Sequence, residues 1–251
     1  MRVAVAGGTG VVGRHVVRRL HDTGHMPVVL ARRCGVDLTS GAGLDAALDG
    51  TDAVIDVVNV ATLRRAEAID FFSGVARYLV SAAERNGVAH MVSLSIVGIE
   101  AIPTGYYAGK LAQEQVLLER GGPVTVQRAT QFHEFAGQVL ARPAGPVALV
   151  PRMQVQPIAA REVAASLVDL ASGPPRGRAP DLAGPVEEQL VEMARRVLRA
   201  RGSRRVVVPV RLPGPGGRAA ASGSALPGGP GPRGCQTFDE WLVGQDGRAW
   251  L

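Results

Sequence analysis

The first strand of this chain turns into its first helix through glycine. Val3–Ala6 is apolar, Gly7-Gly8-Thr9-Gly10-Val11-Val12-Gly13 follows without a break, and an amphipathic helical pattern begins at once. Read as G-x-x-G-x-x-G, each glycine has its own task. Gly7 permits a tight strand-to-helix turn, Gly10 leaves the backbone open to a pyrophosphate, and Gly13 lets helix and strand pack closely. The helix N-terminus then presents its free N–H groups to phosphate. Gly7, Thr9, Gly10, Val11, Val12 and Gly13 are therefore the expected dinucleotide contacts. A merely flexible turn is the plain alternative, and the position between strand and helix argues against it.

A parallel α/β sheet is the expected continuation, because short apolar runs alternate with helical patterns. Strands are expected at Val3–Ala6, Pro27–Ala31, Ala53–Val58, Ala89–Leu94 and Val124–Arg128, with a short one near Val36–Leu38. Helices are expected at Val12–Asp22, Leu44–Leu48, Ala66–Arg85 and Tyr107–Arg120. After Arg128 the alternation weakens. Short strands at Ala148–Val150 and Gln156–Ile158 precede a helix at Arg161–Ala171, a turn-rich stretch at Gly173–Pro185, an arginine-ended helix and a strand at Val206–Val210. Leu212–Gly234 is rich in Gly and Pro and reads as a loop or linker, and Thr237–Gly247 as a short capped helix that docks Trp241. The fold class is α/β, a Rossmann-type doubly wound parallel sheet. Residues 1–135 form its nucleotide-binding core, and 136–251, with the 212–234 loop, a small substrate-binding lobe.

Composition narrows the classes. At 251 residues, 46% hydrophobic and 20% charged, the chain can bury a core and is not disordered. It has no apolar run long enough to span a membrane, and its start is too short in apolar residues for a signal peptide, so a cytoplasmic protein is expected. Two cysteines, Cys34 and Cys235, make neither a disulfide scaffold nor a zinc site, and the scattered histidines show no ligand spacing; no metal is expected. The net charge of +6 raises the question of nucleic acid. Its densest cluster, Arg195 to Arg205, closes a helix that opens on Glu187 and Glu188 and carries no interleaved aromatics, so it reads as a solvated, dipole-matched helix end. The basic residues comprise 27 arginines and one lysine, Lys110. In a chain that uses arginine wherever a positive charge suffices, the lone ammonium marks a place where a compact, tunable charge is wanted.

The second strand ends in Arg32-Arg33, where an acid would hold the ribose 2′-hydroxyl of NAD. Two guanidinium groups there suit the 2′-phosphate instead, so NADP(H) is favoured over NAD(H). Asp37 and Leu38 follow at the spacing of an adenine-pocket wall. Asn59, Val60 and Ala61 close the third strand, beside the adenosine ribose or the nicotinamide half.

Lys110 lies in Gly105-Tyr106-Tyr107-Ala108-Gly109-Lys110, which opens a helix and sets Tyr106 and Lys110 on one face. Upstream, Ser93-Leu94-Ser95-Ile96-Val97-Gly98 closes a strand. A hydroxyl after a strand and then Y-x-x-x-K, behind an N-terminal glycine fingerprint, resembles the short-chain dehydrogenase/reductase superfamily over residues 1–135. The glycine spacing is similar to its extended and atypical branches. Arg128-Ala129-Thr130-Gln131-Phe132-His133-Glu134-Phe135 and Pro157-Ile158-Ala159-Ala160-Arg161-Glu162-Val163-Ala164 resemble NmrA-like proteins in particular. The resemblance implies Tyr106 as proton donor, Lys110 as ribose anchor and stabiliser of the phenolate, and a serine that polarises the carbonyl. Ser95 is the expected catalytic serine; Ser93, a cofactor neighbour, fits the spacing of many extended members, and both face the same side of the strand.

Gln131, Phe132 and His133 are the expected substrate contacts. The function expected is NADPH-dependent reduction of a carbonyl, enone or quinone in a small apolar molecule, with neither nucleic acid nor membrane as partner. Two alternatives keep the fold: an NADP-binding sensor of NmrA type, and a redox-neutral epimerase, dehydratase or rearrangement enzyme. Substrate identity and oligomeric state stay open.

Overall fold

The structure, a computed structural model, describes every residue except Leu63, 103–104, 142–144, Ala249 and Leu251. In chain order the elements are β1 (Arg2–Ala6), α1 (Val11–Asp22), β2 (Met26–Leu30), α2 (Leu44–Leu48), β3 (Ala53–Asp56), α3 (Arg65–Arg85), β4 (His90–Ile96), α4 (Tyr106–Glu119) and β5 (Val124–Ala129). There follow α5 (Phe135–Leu140), β6 (Val147–Pro151), β7 (Gln154–Val155), α6 (Ala160–Ala171), β8 (Gly177–Arg178) and β9 (Glu188–Gln189). The chain ends with α7 (Leu190–Ala200), β10 (Val206–Val210), α8 (Gly214–Ala221), α9 (Phe238–Val243) and α10 (Gln245–Arg248).

Two compact units share these elements. The first comprises Met1–Ile96, Pro103–Arg128 and Ala160–Pro180. Its six-stranded parallel sheet has the order β2-β1-β3-β4-β5-β8. Apolar runs such as Val3–Ala6, wholly buried, become interior strands because both faces are covered. On one face α2, α3 and α4 enclose a core around Phe72, Leu79 and Leu117. Gly109 allows the close approach of α4 to α3, since a methyl there would lie 2.6 Å from the Ala68 carbonyl oxygen. On the other face α1 packs with α6, and Arg19 reaches Asp169 at 3.7 Å. β2 and β3 flank β1, in register Ala6 with Leu30 and with Asp56, so the winding reverses at β1. In such sheets ligands lodge at the carboxyl ends of the strands that border the reversal.

The second unit comprises Val97–Ile102, Ala129–Ala159 and Asp181–Leu251. β6 pairs with β10 in parallel and β7 with β9 antiparallel. α7 buries Leu190, Met193, Ala194 and Val197, and its Arg196 pairs with Glu188 and Asp239. Thr237 and Glu240 cap α9 reciprocally, and Trp241 is buried beside Phe238 and His133, as the capped-helix reading anticipates.

Four expectations need correction. Val36–Leu38 is not a strand: a 3-10 turn at Arg32–Cys34 leads into a loop with a single bridge, Asp37 to Ala42, which positive φ at Gly35, Gly41 and Gly43 folds back on itself. The expected strand Gln156–Ile158 begins earlier, as Gln154–Val155, while Ile158 bridges to Phe132. Residues 212–234 are not all loop, because α8 forms where Gly216, Gly217 and Ala220 are buried. Finally, the division at residue 135 does not hold as a single cut, since α6 covers the sheet and β8 extends it by pairing with β5. Among the described residues no helix is long and apolar enough to cross a membrane.

Candidate functional site

The glycine turn is built as its spacing demands. Gly7 has φ +81°, and a methyl there would meet the Val57 carbonyl oxygen at 2.7 Å. Gly13 is tighter, with a would-be methyl 2.1 Å from the Gly7 oxygen. Gly10 precedes α1 in extended conformation, and no side chain caps the helix. Thr9 and Gly10 are exposed, Val11 is half-buried and Val12 is buried. The result is a backbone cradle before an uncapped helix N-terminus, which fits the pyrophosphate of a dinucleotide.

Arg32 and Arg33 are exposed in the turn after β2, with Arg32 Nε 3.7 Å from Asp37. The Thr39 hydroxyl and N–H both donate to Asp37, at 2.7 and 2.9 Å, and hold its carboxyl below the usual range, with Arg32 assisting. Leu38 and Val60 pack on the core; Asn59 and Ala61 are exposed beyond β3. Val57 donates to Ala6, so the ends of β3 and β1 lie together.

The first turns of α4 hold the expected catalytic residues Tyr106 and Lys110. Lys110 is buried, its Nζ donates to Gln113 Oε1, and it lies 4.9 Å from the Phe72 ring centre. Gln113 Nε2 donates to Asp56 Oδ2 at 2.6 Å. Ser93 Oγ donates to the same oxygen at 3.3 Å, and Val58 N–H to Oδ1 at 3.1 Å. Burial pulls the Lys110 ammonium down to about 8, against the opposing charges of Asp56 and Glu114. Burial likewise raises the Asp56 carboxyl, opposed by Lys110 and the three donors.

Four residues after Lys110, Glu114 accepts from Arg128 at 2.7 and 2.8 Å and from Arg178 at 2.5 Å. Burial pushes its carboxyl up, yet Arg128, Ser95 and Arg178 outweigh burial and hold it low. Ser95 is buried facing this carboxyl, without completing a hydrogen bond. Tyr106 stands edge-on to Phe72 and Tyr107, at ring separations of 5.4 and 6.1 Å. Burial, and then Tyr107, push its phenol above the ordinary value. The expected stabilisation of a phenolate by Lys110 is not what this geometry provides: the ammonium turns inward to Gln113.

Ser93 and Lys110 are thus linked through two residues that the motif reading passed over, Asp56 and Gln113, while Ser95 faces a third, Glu114. Their signals were an acid closing the apolar run Ala53-Val54-Ile55-Asp56, and polar residues at i+3 and i+4 from Lys110.

In the second unit, Gln131 is buried with neither side-chain oxygen nor nitrogen partnered, and Phe132 is half-buried. His133 is wholly buried, its Nε2 3.1 Å from the Gln236 oxygen and its ring against Phe238 and Trp241. That packing leaves it no surface for a substrate, contrary to the expected contact. Elsewhere in this unit a cavity of about 700 Å³ is lined by Arg152, Glu192, Arg195, Arg211 and Arg218 among others, with Arg195 paired to Glu192, and by none of the expected catalytic, cofactor or substrate residues. Among the described residues no group of three or more His, Cys, Asp or Glu side chains is placed to hold a metal.

The family whose pattern matches, over residues 3–116, is described as the NAD dependent epimerase/dehydratase family. Over those residues, a little under half of its length, the chain is similar to this family. A curated relative from Streptomyces griseus, the (4-alkanoyl-5-oxo-2,5-dihydrofuran-3-yl)methyl phosphate reductase, is 34% identical over 52% of this chain and 48% of its own length. The ceramide reductase of Caulobacter vibrioides is 32% identical over 46% of this chain and 41% of its own. The chain thus spans about half the length, or less, of these curated relatives. A UDP-glucose-4-epimerase structure from Stenotrophomonas maltophila, with bound NAD and formylated UDP-arabinopyranose, superposes with a TM-score of 0.73 at 17% identity, over 100% of this chain and 97% of that one. The likeness to that structure is one of fold, and it runs through the whole chain.

Proposed function

We propose that the protein is an NADPH-dependent oxidoreductase of the short-chain dehydrogenase/reductase type that reduces a carbonyl, enone or quinone of a small molecule. One observation carries this reading. The chain's single lysine, four residues after Tyr106, is buried in the same unit as the glycine turn and is given its own acceptor and counter-charge. Packing alone is served better by an apolar side chain at such a position. The reductase names of both curated relatives agree with it.

Gly7–Gly13 would hold the pyrophosphate, Arg32 and Arg33 the 2′-phosphate, and Lys110 the nicotinamide ribose. NADPH is preferred because Asp37, an acid beside this turn, is occupied by Thr39 and Arg32. When bound, it supplies hydride to the substrate. Tyr106 keeps its phenolic proton at neutral pH and gives it to the oxygen as charge develops there. Ser95 orients that oxygen, because Ser93 is held by Asp56. The phosphate ester named for the Streptomyces relative is the support for a substrate with an anionic arm. The segments 128–135 and 157–164 support a place near the NmrA-like branch.

The test is NADPH consumption by the purified protein over ketones, enones and quinones with and without a phosphate arm. Turnover should fall at least ~100-fold in Tyr106→Phe. NADPH that binds but is never consumed refutes reduction; substrate conversion without net consumption then marks the redox-neutral reading, and none at all marks a sensor.

A further inference from the structure

Lys110 is the only lysine, yet its ammonium does not meet a carboxylate directly. It donates to the Gln113 amide oxygen, and the amide nitrogen of Gln113 donates to Asp56 at 2.6 Å. We propose that Asp56 and Gln113 are the positioning residues of Lys110: the carboxylate fixes the amide, the amide fixes the ammonium, and the pair keeps the lysine charged inside the fold. This rests on the reading of Lys110 given above and deepens it.

Polarity makes the relay directional. A carboxylate offers acceptors alone, so the amide must present its nitrogen to Asp56 and its oxygen to Lys110. The reversed amide would set oxygen against oxygen on one side and N–H against N–H on the other. Asp56 cannot drift, because Val58 N–H and Ser93 Oγ also donate to it, at 3.1 and 3.3 Å. Three donors with no acceptor suit the ionised form. Gln113 and Asp56 are 1% and 0% exposed, so water does not complete these bonds.

The charges that bear on Lys110 come from two elements. Asp56 stands at the end of β3, and Glu114 on α4 itself. Glu114 is already engaged by Arg128 of β5 and Arg178 of β8. α3 offers only the Phe72 ring face, 4.9 Å away, and β4 the neutral Ser93 hydroxyl. Asp56 is thus the counter-charge left for the ammonium. The role differs from packing: an apolar pair of the same volume would fill the space and leave Lys110 to lose its proton.

One lysine gives one side-chain signal. Full-length protein labelled with ¹⁵N-lysine shows a single Nζ resonance, and its titration is read directly, without any turnover. Asp56→Asn should move the titration down by about one pH unit or more, a tenfold change in proton affinity. Gln113→Leu should move it the same way, and Gln113→Glu, which places a carboxylate beside the ammonium, should move it up. Gln113→Leu leaves Asp56 its other two donors and stands in if Asp56→Asn does not fold. In both lowering variants the basic limb of the kcat/KM profile should follow the Nζ titration. Titration at the wild-type pH in both overturns the proposal. A wild-type protein that never consumes NADPH would refute the proposed function and leave the titration result intact.

Discussion

Alanine at Gly13 and alanine at Gly10 should fail in opposite ways. At Gly13 the new methyl would sit 2.1 Å from the Gly7 oxygen and 2.7 Å from Gly8 Cα, both backbone atoms. Reaching ordinary contact at 3.4 Å requires α1 to lift from the turn by about 1.3 Å. α1 is not free to lift, because α6 packs along it. Overpacking of this kind costs ~1–3 kcal/mol, which for a chain of this size lowers Tm by about 2–12 °C. At Gly10 the methyl meets only the Gly7 oxygen, at 3.2 Å, and φ of −78° suits alanine. Gly10→Ala should therefore lose less than ~1 kcal/mol, the scale of an N-cap change. Its methyl does, however, project where a phosphate must approach the backbone, so NADPH affinity should fall at least ~10-fold, or about 1.4 kcal/mol. Urea unfolding and NADPH fluorescence titration of both variants separate the two effects. A Gly10→Ala protein that binds NADPH like wild type, or a Gly13→Ala protein as stable as wild type, refutes the assignment of tasks among the glycines.

The buried lysine gives a pH signature. The native protein releases the Lys110 proton near 8, while the unfolded chain keeps it to about 10.5, so the unfolded state holds more protons in that window and stability rises with pH. Relative to Lys110→Met, wild type should gain ~2.5 kcal/mol between about pH 7 and about pH 10 in urea unfolding; parallel curves for the two would contradict it. Glu114 behaves oppositely. Its carboxyl is held below the ordinary 4.5, so its contribution is complete above that pH and is lost as pH falls through the lower native value. Glu114→Gln should cost ~3 kcal/mol at neutral pH and flatten acid unfolding followed by circular dichroism. Replacing Arg32 and Arg33 together by Gln should weaken NADPH binding ~10-fold and leave NADH binding unchanged, as titration with each nucleotide will read.

The first half of the fold was legible because its strands are continuous apolar runs separated by whole helices, and each observed strand lies within two or three residues of its expected bounds. β8 was not, since Gly177–Arg178 carries no apolar pattern and exists through backbone pairing with Thr125 and Val126. α8 was hidden for a similar reason. Its glycines and alanines are poor evidence for a helix until Gly216, Gly217 and Ala220 are covered. The glycine turn and Y-x-x-x-K were readable because each depends on local spacing. The Asp56–Gln113 relay was not, because it depends on which face of α4 meets β3, 57 positions apart in sequence. The inward turn of Lys110 follows from that contact, and no spacing of tyrosine and lysine encodes it.

The return of α6 and β8 to the first unit sets an order on synthesis. When β5 has been translated, α1 can rest on β1 and β2 but still lacks its neighbour α6, and the edge of β5 is bare. Both wait for residues up to Arg178. At roughly 5–20 residues per second that interval lasts about 2–10 s on the ribosome. During it the nascent sheet exposes an open edge, the kind that recruits foreign strands. A fragment ended near residue 135 would keep that exposure permanently, so chaperone dependence and aggregation, rather than a stable nucleotide-binding half, are the expected fate of such a truncation.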